Sequence, residues 1–142
     1  MNREIKFRVW DIENKKMLDL EELNYEYGEP AIRTTMYSDY FGTDDMILMQ
    51  YTGLKDKNGV EIYEGDIVKA HFTKGHWTYN DKSYYGYKNG RVEYCVDCFI
   101  LYIENYKEKI YPLSAFGDRQ IKDLEVIGNI YDNPELIEKE GK

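Results

Sequence analysis

Cys95 and Cys98 stand three positions apart, the spacing of a metal-binding pair, and His71 and His76 are the only histidines. Together they could in principle make a Cys2His2 zinc site. There is one Cys-x-x-Cys only, however, and residues three apart on a straight strand face opposite sides. Ordinary packed or half-exposed thiols are therefore expected, with no metal and no cofactor. A redox role is weaker still, because no helix start follows the pair to activate a thiol. A second group, Asp56, Glu61, Glu64 and Asp66, crowds one short stretch. Paired carboxylates can move protons or hold Mg²⁺. Each of these lies in a turn or beside Gly, where carboxylates accept backbone N–H bonds, so a structural role is expected. Ser38, Ser83 and Ser114 sit in no Gly-x-Ser-x-Gly elbow. A Gly-rich phosphate loop and a His-Glu-x-x-His pattern are absent too. No residue set reads as an active site, and an enzyme is not expected.

The segment 71–91 is the strongest candidate for function. It interleaves Phe72, Trp77, Tyr79, Tyr84, Tyr85 and Tyr87 with Lys74, Lys82, Lys88 and Arg91. Four cations against Asp81 alone give it a formal charge of +3, in a chain whose net charge is −8. Cations among aromatics suit stacking on unpaired bases. They equally suit a protein interface, where Tyr, Trp and Arg are enriched. The plainer alternative is an aromatic hairpin that packs on its own sheet. The candidate binding surface is Lys74, Trp77, Tyr79, Lys82, Tyr84, Tyr85, Tyr87, Lys88 and Arg91.

The rest of the chain must present that segment. With 142 residues, 42% hydrophobic and 32% charged, it can bury a core without staples. Of its residues 15% are aromatic, and Tyr supplies 15 of them. Tyr suits half-buried sheet faces, so strands are favoured over helices. The acidic balance repels phosphate and argues against general duplex binding. The first residues carry no apolar leader, and no run approaches the ~18 apolar residues of a membrane helix. A cytoplasmic protein is expected.

Ile5, Phe7 and Val9 alternate with Lys6, Arg8 and Trp10, a period-two strand. A hairpin through Met17–Leu23 follows, with a short helix over Leu18–Leu23 as the rival. Residues 24–45 read as irregular, with one strand at Ala31–Thr35. Met46–Thr52 is a short apolar run of buried-strand length. Asp56-Lys57-Asn58-Gly59 is a tight reversal, since Asn-Gly supplies positive φ. Gly65-Asp66 then opens the strand Ile67–Phe72. Further strands are expected at Arg91–Cys95, Cys98–Asn105, Lys109–Leu113 and Glu125–Tyr131. A short helix Pro134–Glu138 should have Pro at its first position. Short, regularly spaced strands predict a mainly β fold, most simply a small barrel.

Three blocks carry a family resemblance: REIKFRVWDIENKKML at Arg3–Leu18, QYTGLKDKNGVEIYEGDIVKA at Gln50–Ala70 and EVIGNIYDNPEL at Glu125–Leu136. In type and order they resemble the YopX family of phage and prophage proteins. The resemblance implies a small SH3-like β-barrel with a separate N-terminal part. It implies a bacterial host or lysogen as the setting, and admits oligomers. It implies no activity and no catalytic residues. The resulting layout is an N-terminal β-hairpin and irregular subdomain over 1–45. A barrel core over 46–142 follows, with a variable insertion at 72–91 and the C-terminal helix. The expected function is that of a non-enzymatic accessory protein that binds a protein partner or a second copy of itself. The alternative is a single-stranded nucleic-acid-associated module using 71–91, which the net charge disfavours.

Overall fold

The computed structural model describes the backbone of residues 4–77, 83–95, 98–103, 108–112 and 124–137, and the side chains of 4–71, 86–94, 99–101 and 124–137. The protein is mainly β, with two antiparallel sheets. It divides into two compact units, Met1–Tyr51 and Thr52–Lys142. The boundary lies inside one strand, Met46–Lys55, whereas the expected 45/46 division falls at that strand's start.

In the first unit β1 (Phe7–Asp11), β2 (Lys16–Glu26), β3 (Glu29–Thr34) and the start of β4 (Met46–Lys55) run in the order β3-β2-β1-β4. Central β1 sets the core, with Val9 opposite Leu18 on one side and Leu48 on the other. Val9, Ile32 and Met46 are buried together, and Leu20, Leu23, Tyr37, Phe41 and Leu48 pack around them. The rival helix over Leu18–Leu23 does not form, because those residues belong to the eleven-residue strand β2. Residues 24–34 are more regular than composition suggested. They complete a β2–β3 hairpin that continues to the Glu26–Glu29 pair. The outer edge of β3 is closed at Ile32 by Phe41, which exchanges two backbone bonds with it at 2.8 and 2.7 Å. Pro30 offers no N–H on that strand, which further blunts the edge.

A buried acid organises the β1–β2 turn. The Asp11 carboxylate accepts Asn14 N at 3.2 Å, Asn14 Nδ2 at 2.9 Å and the Tyr37 hydroxyl at 3.1 Å. Lys15 closes the turn in the left-handed region, at φ 55°, donating to Asp11 O at 2.8 Å. Burial raises the acid's pKa, but the bonds from Asn14 and Tyr37 outweigh it and hold the group below the usual carboxylate value.

The second unit follows the end of β4. It contains β5 (Glu61–Tyr63), β6 (Asp66–Trp77), β7 (Ser83–Cys95), β8 (Cys98–Ile103), β9 (Glu108–Pro112) and β10 (Leu124–Asn129). The last five form an antiparallel sheet in the order β10-β6-β7-β8-β9. Among the described residues this sheet does not close into a barrel. Its core face pairs Val126 with Val68, Leu124 with Ala70 and Val92 with Leu101. Ile62, Phe99 and Leu54 pack onto the same cluster. Period two sends Ile67 and Val68 to opposite faces, yet both are fully buried. The strand is thus covered on both sides at this point.

The C-terminal segment is a four-residue 3-10 turn, Pro134–Ile137, with Pro at its first position. It is shorter than the expected helix and is docked by Asn89 Nδ2, which donates to Leu136 O at 3.0 Å. Gly128 has a packing reason: a Cβ there would lie 2.4 Å from Asn133 Oδ1.

Thr34 exposes a flaw in the first unit's packing. Its side chain is fully buried, and Oγ1 has no hydrogen-bond partner among the described residues. Thr34→Val keeps the shape and removes a desolvated hydroxyl, so stability should rise by about 1 kcal/mol. Chemical denaturation checks this; a destabilised Val variant would mean that the hydroxyl is satisfied after all.

Candidate binding surface

Of the nine residues singled out for binding, Tyr87, Lys88 and Arg91 have described side chains. Those of Lys74, Trp77, Tyr79, Lys82, Tyr84 and Tyr85 lie outside the described residues. Strands β6 and β7 pair antiparallel, which places the backbone of Trp77, Tyr84 and Tyr85 in strands. The ladder is irregular between Phe72 and His76, and Gly86 opposite Phe72 adopts φ 79°. A residue with a Cβ is strained at that angle, which accounts for glycine.

Register divides the named residues. Tyr87 pairs with His71 and Arg91 with Ile67, so both stand on one face. Lys88 pairs with Ala70, which belongs to the core cluster, and so Lys88 stands on the other face. The Tyr87 face also holds Lys69 and Asn89, which pair with each other. The His71 and Tyr87 rings stack at 4.3 Å with 8° between their planes. Lys69 Nζ lies 5.8 Å from the centre of the Tyr87 ring. Tyr87 nevertheless remains 63% exposed, which leaves ring surface open to a ligand. Arg91 is ion-paired with Glu93 and is therefore partly neutralised. Lys69 and His71 were missed as members of this surface. Their signal was the alternation Ile67-Val68-Lys69-Ala70-His71, whose even positions are core, which places the odd polar ones on the opposite face.

The same register separates the two histidines from the two cysteines. His71 and His76 pair with Tyr87 and Tyr84, whereas Cys95 pairs with Cys98 across the start of the β7–β8 hairpin. About 26 Å of extended strand lies between Tyr87 and Cys95. The cysteines are cross-strand partners in backbone register, a correction to the single-strand geometry from which they were first judged. Their side chains lie outside the described residues.

Of the four carboxylates near the Asn-Gly turn, Asp56 and Asp66 bond backbone N–H groups. Asp56 is fully buried. Its Oδ1 accepts Asn58 N and Val60 N, both at 2.8 Å, and its Oδ2 accepts Val126 N at 2.8 Å. Gly59, at φ 82°, completes the reversal by donating to Asp56 O at 3.0 Å. Lys57 N donates to Leu124 O at 2.9 Å. Thr52 Oγ1 donates to Ile62 O at 2.7 Å and accepts Leu54 N at 3.1 Å, across Gly53 at φ 88°. Asp66 Oδ2 accepts Tyr63 N at 2.7 Å, while Gly65 N donates to Val92 O and Gly65 O accepts Ile130 N, each at 2.9 Å. Glu61 accepts the Tyr63 hydroxyl at 3.3 Å. For Asp56 and Asp66 these bonds match the structural role expected of carboxylates in turns. Among the described residues no three His, Cys, Asp or Glu side chains are grouped to hold a metal, and no helix is long and apolar enough to cross a membrane.

The first unit carries a polar cluster that sequence reading missed. Glu22 accepts the Tyr40 hydroxyl at 2.6 Å, Arg33 Nη2 at 2.8 Å and Asn24 Nδ2 at 2.8 Å. The Tyr40 bond, followed by those from Arg33 and Asn24, holds its acid down to about 2. Glu21 also pairs with Arg33, at 3.2 Å. Nothing in the sequence announces this cluster, because Tyr40 comes from a different part of the unit.

Two antiparallel sheets, a turn built on a buried acid and a surface of stacked aromatic rings define a β-rich protein with a candidate binding face. A family model described as YopX protein matches residues 6–138. The chain belongs to the YopX family. It is similar to the crystal structure of protein EF1440 from Enterococcus faecalis, at 28% identity and a TM-score of 0.58, over 96% of this chain and 100% of that one. No curated protein matches it.

Two outcomes follow from these carboxylates. Asp56→Ala should cost about 2–4 kcal/mol, since it strands several backbone donors at once. The exposed Lys57–Glu125 pair, 3.5 Å apart, is worth at most about 1 kcal/mol. Equal losses from Asp56→Ala and Lys57→Ala in urea denaturation would refute the ranking. The Glu22 pKa is lower folded than unfolded, so its stabilisation is present above its ordinary value near 4.5 and is lost as pH falls toward 2. The melting difference between wild type and Glu22→Gln should shrink across that window; a constant difference would disprove the linkage.

Proposed function

We propose that this protein is a non-enzymatic binding module that captures a protein partner, or a second copy of itself, on the β6–β7 face. The observation behind this reading is the His71–Tyr87 stack with Lys69 beside it and ring surface still open. Exposed aromatic anchors flanked by cations dominate interface energies. On this reading it is an accessory protein of phage or prophage, acting in the cytoplasm of the host or lysogen. The second unit is then the SH3-like part of the fold, with the β6–β7 hairpin as its variable arm.

A second reading has one specific observation in its favour. A flat stacked pair beside a cation also suits an unpaired base and its phosphate. The net charge of −8 weighs against it. Tyr87→Ala with Lys69→Ala tests both. Folding should change by no more than about 1 kcal/mol, since the removed groups are surface groups and one ring pair. Capture of partners from infected host cells should fall, and the loss should tolerate salt. If instead single-stranded oligonucleotide binding is lost, and wild-type binding weakens steeply with salt, the nucleic-acid reading replaces the first. Capture and oligonucleotide binding both unchanged would remove this face from function.

A further inference from the structure

The β2–β3 hairpin extends past the core it helps to build. Leu23 and Ile32 pair in register and pack in the first unit's core. The next pair on that face, Tyr25 with Pro30, has lost this cover: Tyr25 is 70% exposed. Tyr27 at the tip is fully exposed. Among the described residues no side chain makes a hydrogen bond, ion pair or ring contact with either tyrosine. Other exposed tyrosines differ. Tyr40 has Arg33 at 5.7 Å from its ring centre, and Tyr87 has Lys69.

Charge tells what would fit there. Between Lys16 and Arg33 lie Asp19, Glu21, Glu22, Glu26 and Glu29, without one Lys or Arg. Glu26 and Glu29 are direct cross-strand partners, an arrangement in which like charges repel. The two-residue loop Tyr27-Gly28 has φ 53° and φ 83°, the signs of a type I′ turn, whose first position favours Asn, Asp or Gly. The chain thus places a bulky, exposed ring at a strained position beside two facing like charges. A guanidinium or ammonium group would relieve the Glu26–Glu29 repulsion and lie on the open ring faces. Phosphate would be repelled.

We infer that the hairpin tip at residues 24–30 docks a lysine- or arginine-rich segment of another protein. This surface lies in the other unit from the β6–β7 face, so the two proposals fail separately. The test is NMR titration of the labelled full chain with an Arg-Gly/Lys-Gly repeat peptide, and with a Glu-Gly repeat as its counterpart. Saturable shifts centred on Tyr25–Glu29 are expected with the cationic peptide alone. Tyr27→Asn should weaken binding about tenfold, the scale of a lost aromatic anchor. The same variant should raise the melting temperature, because Asn tolerates the left-handed region. Glu26→Gln should also weaken binding, since it removes one of the two facing charges.

Several results would overturn the inference. Shifts spread over all acidic residues and indifferent to Tyr27→Asn would mean plain charge attraction. An equal response to the Glu-Gly peptide would mean apolar docking, and tip shifts on concentration without peptide would mean a second copy. A lower melting temperature for Tyr27→Asn would make the ring structural.

Discussion

Burying backbone donors without water is the constraint on which the second unit depends, and the Asp56 carboxylate meets it. The Asp-Lys-Asn-Gly reversal turns its own N–H groups inward, and Asp56 Oδ1 receives two of them. Its Oδ2 reaches Val126 N, on the edge of β10 away from β6. The turn thereby serves as the missing neighbour of an edge strand. A fully buried carboxylate is costly alone, but one that accepts three backbone donors is compensated. Two distant stretches of sequence, around Asp56 and around Val126, are tied by one side chain. The Lys57 N–Leu124 O bond runs beside it.

The first unit uses the same device on a smaller scale. Asp11 is buried under its own turn, takes both a backbone and a side-chain donor from Asn14, and binds the Tyr37 hydroxyl. Each acid follows strand residues and precedes an Asn in a polar turn. Local bonds satisfy part of the carboxylate, and one distant donor anchors the turn to the body of its unit. Three donors converge on each acid, an arrangement that fits a structural carboxylate.

What remains outside these frameworks is the surface. The β6–β7 face gathers aromatic rings with cations, while the β2–β3 tip gathers rings with carboxylates. Opposite charge around similar rings suits different partners, since the rings supply contact area and the charges select what may approach. Both lie on hairpins whose bases are held by ladder bonds, and such bases keep an exposed ring where a partner can meet it.

Strand order in time was legible in the sequence because period two is local. The alternation of Ile5–Trp10, the Asn-Gly turn and the apolar runs all depend on neighbours within a few residues. The family was legible for the same reason, through the Thr-Gly-Leu-Lys-Asp-Lys-Asn-Gly stretch and the closing Val-Ile-Gly-Asn. The sequence shows a glycine at 128 inside the expected closing strand, but not its cause, the approach of Asn133. The tertiary structure alone decided which strands neighbour one another, and so that Tyr87 meets His71, that Lys88 turns to the core side and that the histidines stand apart from the cysteines. It also decided that Glu22 would find Tyr40, and that Tyr25 would fall beyond the core's reach. These outcomes depend on register between segments far apart in the chain, and register is set by the sum of many contacts rather than by any one of them.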